Sequence, residues 1–521
     1  MTGDGRTSGR SGEQAATLVA AGFVGCKVSQ ADAEEALAGL AAAGLEPVVS
    51  RDAADVVVVH TCCVTAEAER KSRRLVRRAA SAGKRVVVAG CAAALRPEQF
   101  EGERVTVAAR PDWARLADDL TRAAAASAFD HVGGDDVRAG VGALDGAIEG
   151  TADGAGKGSH PQTTSPPASR TGVRTRVAGF TDTEGPRATP GARTRLALKV
   201  QDGCAGSCTY CVVRLVRGEP RSTSLAAALE AARAGLERGC GEVVLSGIDL
   251  GAWRDEGAGG DRSAGGAAGR GARLPELVAA VAALDGLKRV RLSSIEPRHV
   301  TPVLVELLAH PRVARHLHVP LQSADDGVLR AMKRPYTFEE YLRAVEGLRD
   351  LPGGAMLSTD VIVGYPVEDE AAFSRTLEAL ESGLFGRAHV FAYSPRPGTA
   401  AAELSPLPAE VVKERMARAL AAAEAAALAA RRAALGREAD VLVEERRDGL
   451  WRGYSSEYIR YALRGSALPG ELVTTVADGL AGDGVTGAVV GVAERSRDDG
   501  AAGRGAPNGR DGAAGGDAPK E

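Results

Sequence analysis

The sequence predicts an α/β multidomain protein: an N-terminal open parallel α/β domain, a central partial (β/α)6 barrel and a small β-rich module at the C-terminus. Three observations predict it. Apolar runs alternate with amphipathic segments from about Ala15 to Ala126 and again from Leu196 to about Pro406, the rhythm of strand–helix units on a parallel sheet. A long stretch rich in Gly, Ala, Thr, Ser, Pro and Asp, with no periodic apolar face, separates the two and reads as a disordered linker. An Ala-rich helical segment, about Ala409–Leu435, then leads into the β-rich stretch Arg437–Val492.

The boundaries drawn from these shifts are a disordered tail over 1–14, an N-terminal domain over 15–126, a low-complexity linker over 127–194, a barrel domain over 195–435, a small β module over 436–493 and a second disordered tail over 494–521. In the first domain, three strand-like runs (Thr17–Phe23, Ala54–His60 and Arg85–Ala89) each lead to a cysteine. In the second, six runs read as strands: Ala197–Val200, Glu242–Leu245, Arg289–Leu292, His316–Val319, Ser358–Val363 and Ala388–Tyr393. Helical segments such as Ser224–Arg238 and Phe338–Leu348 separate them, and chemistry is expected at the strand C-terminal ends. Gly257–Gly271 reads as a Gly/Ala insertion in a loop.

Composition narrows the function classes. The 521 residues carry only 8 Cys, too few for a disulfide scaffold of that length. Met1–Gln14 has no apolar stretch of the kind that marks a secretory signal. No uninterrupted apolar run is long enough to span a bilayer. A cytoplasmic, reducing setting is expected, with no membrane partner, and there thiolate–metal chemistry is favoured over disulfides. The net charge of -3 does not advertise a nucleic-acid partner, so any such surface must be local.

Cys204, Cys208 and Cys211 form a C-x-x-x-C-x-x-C run with Tyr210 before the last cysteine. Three thiolates this close can hold a [4Fe–4S] cluster, which ordinarily takes four cysteines, leaving one iron open to a small molecule. In radical S-adenosylmethionine (SAM) enzymes that molecule is SAM. A structural zinc site would want a second cysteine pair or histidines nearby, and the sequence offers none. The N-terminal cysteines Cys26, Cys62 and Cys91 each follow a strand-like run, which in a parallel sheet gathers them outside the strand carboxyl ends. Two readings fit them: a second cluster, or three buried structural cysteines. Neighbouring Cys62 and Cys63 cannot both point inward from an extended segment.

Taken in order, Gly25-Cys26-Lys27-Val28-Ser29-Gln30, Thr61-Cys62-Cys63-Val64-Thr65, Gly90-Cys91, Cys204/Cys208/Cys211, Arg291–Pro297, His318–Ser323, Asp360–Gly364 and Tyr393–Thr399 resemble the radical SAM methylthiotransferases. The resemblance spans about Ala15–Ala126 and Leu196–Val492. It implies that the central domain is a radical SAM barrel and the C-terminal module a TRAM-like RNA-binding β-barrel. It implies two [4Fe–4S] clusters, one on Cys204, Cys208 and Cys211 that binds SAM, and one on Cys26, Cys62 and Cys91 that supplies sulfur. The ligand of the doublet is then Cys62. Three positions depart from the family: Ser29 and His60 stand where Asn is usual, and Arg214 where Pro is usual.

Within the family, the flanks Gly25–Val28 and Lys199–Cys204 favour the branch that methylthiolates C2 of N6-threonylcarbamoyladenosine beside the tRNA anticodon, with tRNA (its anticodon stem-loop), SAM and an unidentified electron donor as partners. The same chemistry on isopentenyladenosine, or on an aspartate of a small-subunit ribosomal protein, is the alternative. A non-catalytic iron–sulfur protein that binds RNA or carries electrons is the alternative of another class.

Tyr210 is expected either to cover the adenine of SAM or to pack in its loop. Ser293, Ser294 and Glu296 end the third barrel strand and are expected to contact SAM or substrate, the bland reading being a Glu296–Arg298 salt bridge. Arg70, Lys71, Arg73, Arg74, Arg77 and Arg78 fall on helical spacing after Cys62, as an RNA phosphate contact or a solvated face. In the C-terminal module, basic residues interleave with Trp451, Tyr454, Tyr458 and Tyr461, a pattern suited to base stacking or to filling a small barrel. That module has no cysteine, so the clusters are expected to survive its removal.

Overall fold

The run Val56–Thr61 has every side chain buried, which requires cover on both faces. The computed structural model, which describes residues 17–125, 194–255 and 271–493, supplies that cover. The N-terminal domain is a five-stranded parallel sheet in the order β2-β1-β3-β4-β5, with β1 Leu18–Phe23, β2 Glu46–Pro47, β3 Val56–Thr61, β4 Arg85–Gly90 and β5 Val105–Val107. Alternate valines of β3 serve different cores. Val56 and Val58 pack under α1 (Lys27–Ala42) and α4 (Trp113–Ala125), while Val57 and Val59 pack under α2 (Ala66–Ser81) and α3 (Cys91–Leu95).

All six expected barrel strands are present: β6 Arg195–Lys199, β9 Glu242–Ser246, β10 Arg289–Leu292, β11 His316–His318, β12 Met356–Val363 and β13 Arg387–Ala392. They pair in parallel as two three-stranded sheets, joined by the bridges Val290–Val313 and Ser294–His318 into one open arc. A short antiparallel pair, β7 Gln201–Asp202 and β8 Arg221–Ser222, brackets the central cysteine loop and α5 (Val213–Arg217). Alternation along the strands again decides the layers. Val243, Leu245, Val290, Leu292, Val361 and Val363 fill the core beneath the helices. Glu242, Arg289, Arg291, His316, Ser358 and Asp360 point to the opposite, inner face.

The C-terminal module is a closed barrel of β14 Glu438–Arg447, β15 Leu450–Ser455, β16 Arg460–Arg464, β17 Leu472–Ala481 and β18 Gly484–Val492, in the order β14-β15-β16-β18-β17. It is not an independent appendage. Buried Glu242 pairs with buried Arg289 and Arg291, at 3.1 Å to the latter. The two guanidiniums then donate to the carbonyls of Tyr454, Ser455 and Ser456, at 2.9, 2.9 and 3.1 Å. Burial opposes ionisation of Glu242, but the surrounding arginines outweigh it and hold the carboxyl well below its ordinary value. The expected tails, nearly all of the linker and most of the Gly-rich insertion lie outside the described residues.

Candidate active site

The N-terminal cysteines meet because of where their strands end. Cys26 caps the start of α1, Cys62 follows β3 directly, and Cys91 opens α3 after β4. Cys62 faces the Cys26 side: a Cβ on Gly25 would stand 2.8 Å from Cys62 Cβ and 3.0 Å from its Sγ, and Gly25 takes φ 124°. The glycine keeps that space open. Burial pushes the Cys62 thiol far up, and nearby Cys26 and Cys91 add to it. Cys63 turns the other way, into the core with Val57, Val59 and Val88. The Cys63 S–H donates to Cys91, which lowers the Cys91 pKa against the opposing effect of burial; the Arg217 guanidinium adds to the lowering. Arg217 Nε lies 3.1 Å from Cys91 Sγ.

Of the family departures, Ser29 places its hydroxyl 3.8 Å from Cys26 Sγ. His60 is only 4 % exposed, neither ring nitrogen has a partner, and burial holds its pKa down to about 4. Arg214 lies at the surface against Glu219 at 3.2 Å.

The central set lies on a loop, its three cysteines partly exposed. Gly206 N donates to Cys204 Sγ at 3.2 Å, and a Cβ on Gly206 would stand 3.1 Å from that sulfur. Gly203, at φ 71°, passes so close to Glu219 that any Cβ would meet its carbonyl oxygen at 2.1 Å. Burial raises the Cys204 and Cys211 thiols, the latter to about 12. Burial thus opposes ionisation at Cys62, Cys204 and Cys211, and thiols of that kind ionise when a cation joins them. Two triads of free cysteines, each beside a glycine that clears room at a sulfur, fit the iron–sulfur groups that the spacing implies.

Three arginines that the sequence reading passed over organise the site. Arg334 Nη1 is 3.4 Å from Cys208 Sγ, its Nη2 pairs with Glu296, and its guanidinium lies 4.9 Å from the Tyr336 ring centroid. Glu296 therefore pairs with Arg334 rather than Arg298, whose partner is Asp249 at 2.8 Å. Arg217, six residues after Cys211, reaches back to Cys91, to Asp32 of α1 at 2.7 Å and to Asp202 at 3.0 Å. Lys199 joins Asp32 at 2.6 Å and Glu35 at 2.9 Å. Arg396 spans the same boundary, to Glu69 at 2.9 Å and to the carbonyl of Cys63 at 3.3 Å. No spacing rule announces these pairings, because their partners lie far along the chain.

Tyr210 packs against the small core of Val328, Met332, Tyr365, Ala372 and Ala401, beside Arg334 and Cys208. Ser293 Oγ is buried without a partner, and Ser294 is exposed beside His318. The module aromatics are not a free stacking platform. Tyr461 lies in the module core with Trp451 against it. Tyr454 and Tyr458 stack at 4.9 Å and dock on the barrel, under Arg195 and Arg291. On α2, by contrast, Arg70, Arg74, Arg77 and Arg78 are all exposed.

Comparison with known proteins agrees with this geometry. Residues 198–380 match the Radical SAM superfamily and residues 19–109 the uncharacterized protein family UPF0004. A threonylcarbamoyladenosine tRNA methylthiotransferase of Thermotoga maritima is 30% identical over 88% of this chain and 94% of its own. A probable threonylcarbamoyladenosine tRNA methylthiotransferase of Pyrococcus horikoshii is 30% identical over 75% of this chain and 80% of its own. A tRNA-2-methylthio-N(6)-dimethylallyladenosine synthase of Erythrobacter litoralis is 32% identical over 86% and 92%. No helix among the described residues is long and apolar enough to cross a membrane. Two cysteine triads on the two matched regions, together with relatives that match nearly end to end, place the chain in the radical SAM tRNA methylthiotransferase family.

Proposed function

We propose that this protein inserts a methylthio group at C2 of N6-threonylcarbamoyladenosine at position 37 of tRNA, in the cytoplasm, with two [4Fe–4S] clusters and SAM. Cys204, Cys208 and Cys211 would hold one cluster, and Cys26, Cys62 and Cys91 the other. Bound there, these groups supply a hydrogen-abstracting adenosyl radical and the inserted sulfur.

The chain's own residues position and shield. Arg334 ties the loop sulfur of Cys208 to Glu296 beyond the strand end, holding the cysteine loop against the barrel. Arg217, Lys199 and Arg396 clamp the N-terminal domain to the barrel, so the distance between the two sulfur sets is fixed by ion pairs rather than left to a linker. The exposed arginines of α2 start about two turns beyond Cys62 and run along one face, a track that suits RNA phosphates.

The observation that carries the choice of nucleoside is the polar inner face of the last three barrel strands, with His316, His318, Ser358, Asp360 and His389. A polar threonylcarbamoyl substituent suits that surface; an apolar isopentenyl tail does not. The full-length match to the dimethylallyladenosine enzyme favours the second reading. Nucleoside mass spectrometry of tRNA from a deletion strain separates them. Loss of the methylthio-threonylcarbamoyl nucleoside with accumulation of its precursor is expected; loss of the isopentenyl counterpart alone would overturn the proposal.

A further inference from the structure

The inner face of β11–β13 carries a continuous hydrogen-bond chain that the cysteine chemistry does not use. His316 Nε2 and Ser358 Oγ are 2.8 Å apart, and Ser358 Oγ and His318 Nδ1 2.9 Å. His318 Nε2 and His389 Nδ1 each lie 3.2 Å from the same oxygen, Asp360 Oδ1. Asp360 and His389 sit directly opposite each other in the β12–β13 register. Their neighbours Val361 and Val390 fill the core beneath the helices, which fixes the chain on the other, inner side.

Donor accounting gives the chain a direction, with hydrogens assigned from the network. An ionised Asp360 can only accept, so His318 Nε2 and His389 Nδ1 both carry hydrogen. A neutral His318 then accepts at Nδ1 from the Ser358 hydroxyl, and the Ser358 oxygen accepts from His316 Nε2–H. His316 Nδ1 is left as a buried atom without a partner, the closed end of the chain. In a neutral ring the open end is the Nε2 lone pair of His389, whose side chain is 32 % exposed. A carboxylate that grips an imidazole at Nδ1 and leaves Nε2 facing outward is the arrangement by which hydrolases fix a histidine tautomer toward substrate. The three ligand atoms also lie within 4.8 Å of one another, close enough for a divalent cation, but both imidazoles already meet Asp360 Oδ1 at hydrogen-bond distance.

We propose that His389 Nε2 accepts a hydrogen bond from the substrate's N6 substituent, from the hydroxyl or carbamoyl N–H of a threonylcarbamoyl group, and that Asp360 is the positioning residue that holds His389 in the accepting tautomer. This rests on the threonylcarbamoyladenosine reading above and adds the group that reads it. An isopentenyl tail offers no donor, so the same lone pair would be left unpaired against it, which turns one hydrogen bond into discrimination.

The test is equilibrium binding of reconstituted holoenzyme to synthetic anticodon stem-loops bearing adenosine, threonylcarbamoyladenosine or isopentenyladenosine. The wild type should favour the threonylcarbamoyl stem-loop. His389→Phe should cut the ratio of its affinity to that for the unmodified stem-loop by about fivefold. Asp360→Ala should do the same, because His389 loses the oxygen that keeps its hydrogen on Nδ1. His389→Gln, which restores an acceptor, should recover part of the ratio. Iron content checks that each variant is loaded, and Asp360→Ala carries the test if the Phe variant fails to fold. A wild type that prefers the threonylcarbamoyl stem-loop, with the ratio unchanged in both variants, overturns the His389 assignment alone. A wild type that prefers the isopentenyl stem-loop overturns the functional reading and the donor-reading role with it.

Discussion

The two cysteine triads are brought together by opposite routes. The central set lies within eight residues of chain, on a loop, and its cysteines are partly exposed residues. The N-terminal set spans Cys26 to Cys91 and exists only because β1, β3 and β4 are adjacent and parallel, so that their ends share one edge. The first is written into local spacing; the second is assembled by the sheet. The difference shows in the surroundings. The assembled set has fully buried Cys63 behind it, a guanidinium from the other domain on Cys91 and exposed Cys26 at its edge, whereas the three loop cysteines are all partly exposed.

The sharpest way to break the comparison is to remove one set at a time. Anaerobically reconstituted protein should hold about eight irons per chain, and replacing Cys204, Cys208 and Cys211 with Ala should leave about four and abolish SAM cleavage. Formation of 5′-deoxyadenosine by that triple variant would reverse the assignment.

The loop set, though local in sequence, sits on a barrel whose integrity depends on the C-terminal module. The sequence reading expects both clusters to survive loss of the C-terminal module; the buried Glu242–Arg289–Arg291 group, capped by carbonyls of that module, says otherwise. Removing Arg437–Glu521 should destabilise the barrel itself. Glu242→Gln should cost about 3–5 kcal/mol, since two guanidiniums lose their buried counter-charge. Because the Glu242 carboxyl is held below its ordinary value of 4.5, its contribution is complete above that value and declines as pH falls toward the folded value. Chemical denaturation at pH 7 and pH 4 checks both statements: wild type should lose stability between them by more than the Gln variant does.

Within the doublet, Cys62→Ala should lose about four irons and Cys63→Ala none. The Cys63 variant should still change the spectrum of the N-terminal cluster, because its thiol touches Cys91. Reversed iron contents would mean that the wrong cysteine has been chosen.

The smallest effect is expected at α2. Converting Arg70, Arg74, Arg77 and Arg78 to Gln should weaken tRNA binding mostly at low salt and flatten its salt dependence. The log–log slope should shrink by up to about 0.7–0.9 for each phosphate that an arginine no longer neutralises. A slope unchanged from wild type would make that face merely solvated.

Much of the architecture is legible in the sequence, for identifiable reasons. The barrel strands can be read because a buried parallel strand needs a short apolar run between helices, and all six runs match their strands to within about two residues. The helix ends Ser224 and Thr337 cap their first turns, as the helical segments read from sequence require. The pairings of Arg217, Arg334 and Arg396 are not legible, because nothing in a charged residue's neighbourhood names a partner far along the chain. Nor can alternating aromatic and basic residues in β15 and β16 say which would face RNA. Tyr454 and Tyr458 go to the domain boundary because the ionic group on β9 and β10 needs carbonyl partners and a cover.

The central claim is that the assembled set and the loop set serve one reaction on one substrate. The most direct measurement is parallel quantification of 5′-deoxyadenosine and methylthio nucleoside from reconstituted enzyme, SAM, reductant and a threonylcarbamoyladenosine stem-loop. Wild type should make both products. Cys62→Ala should make 5′-deoxyadenosine without methylthio nucleoside, and the Cys204/Cys208/Cys211→Ala variant should make neither. Methylthio nucleoside formed by Cys62→Ala at the wild-type rate would contradict the account.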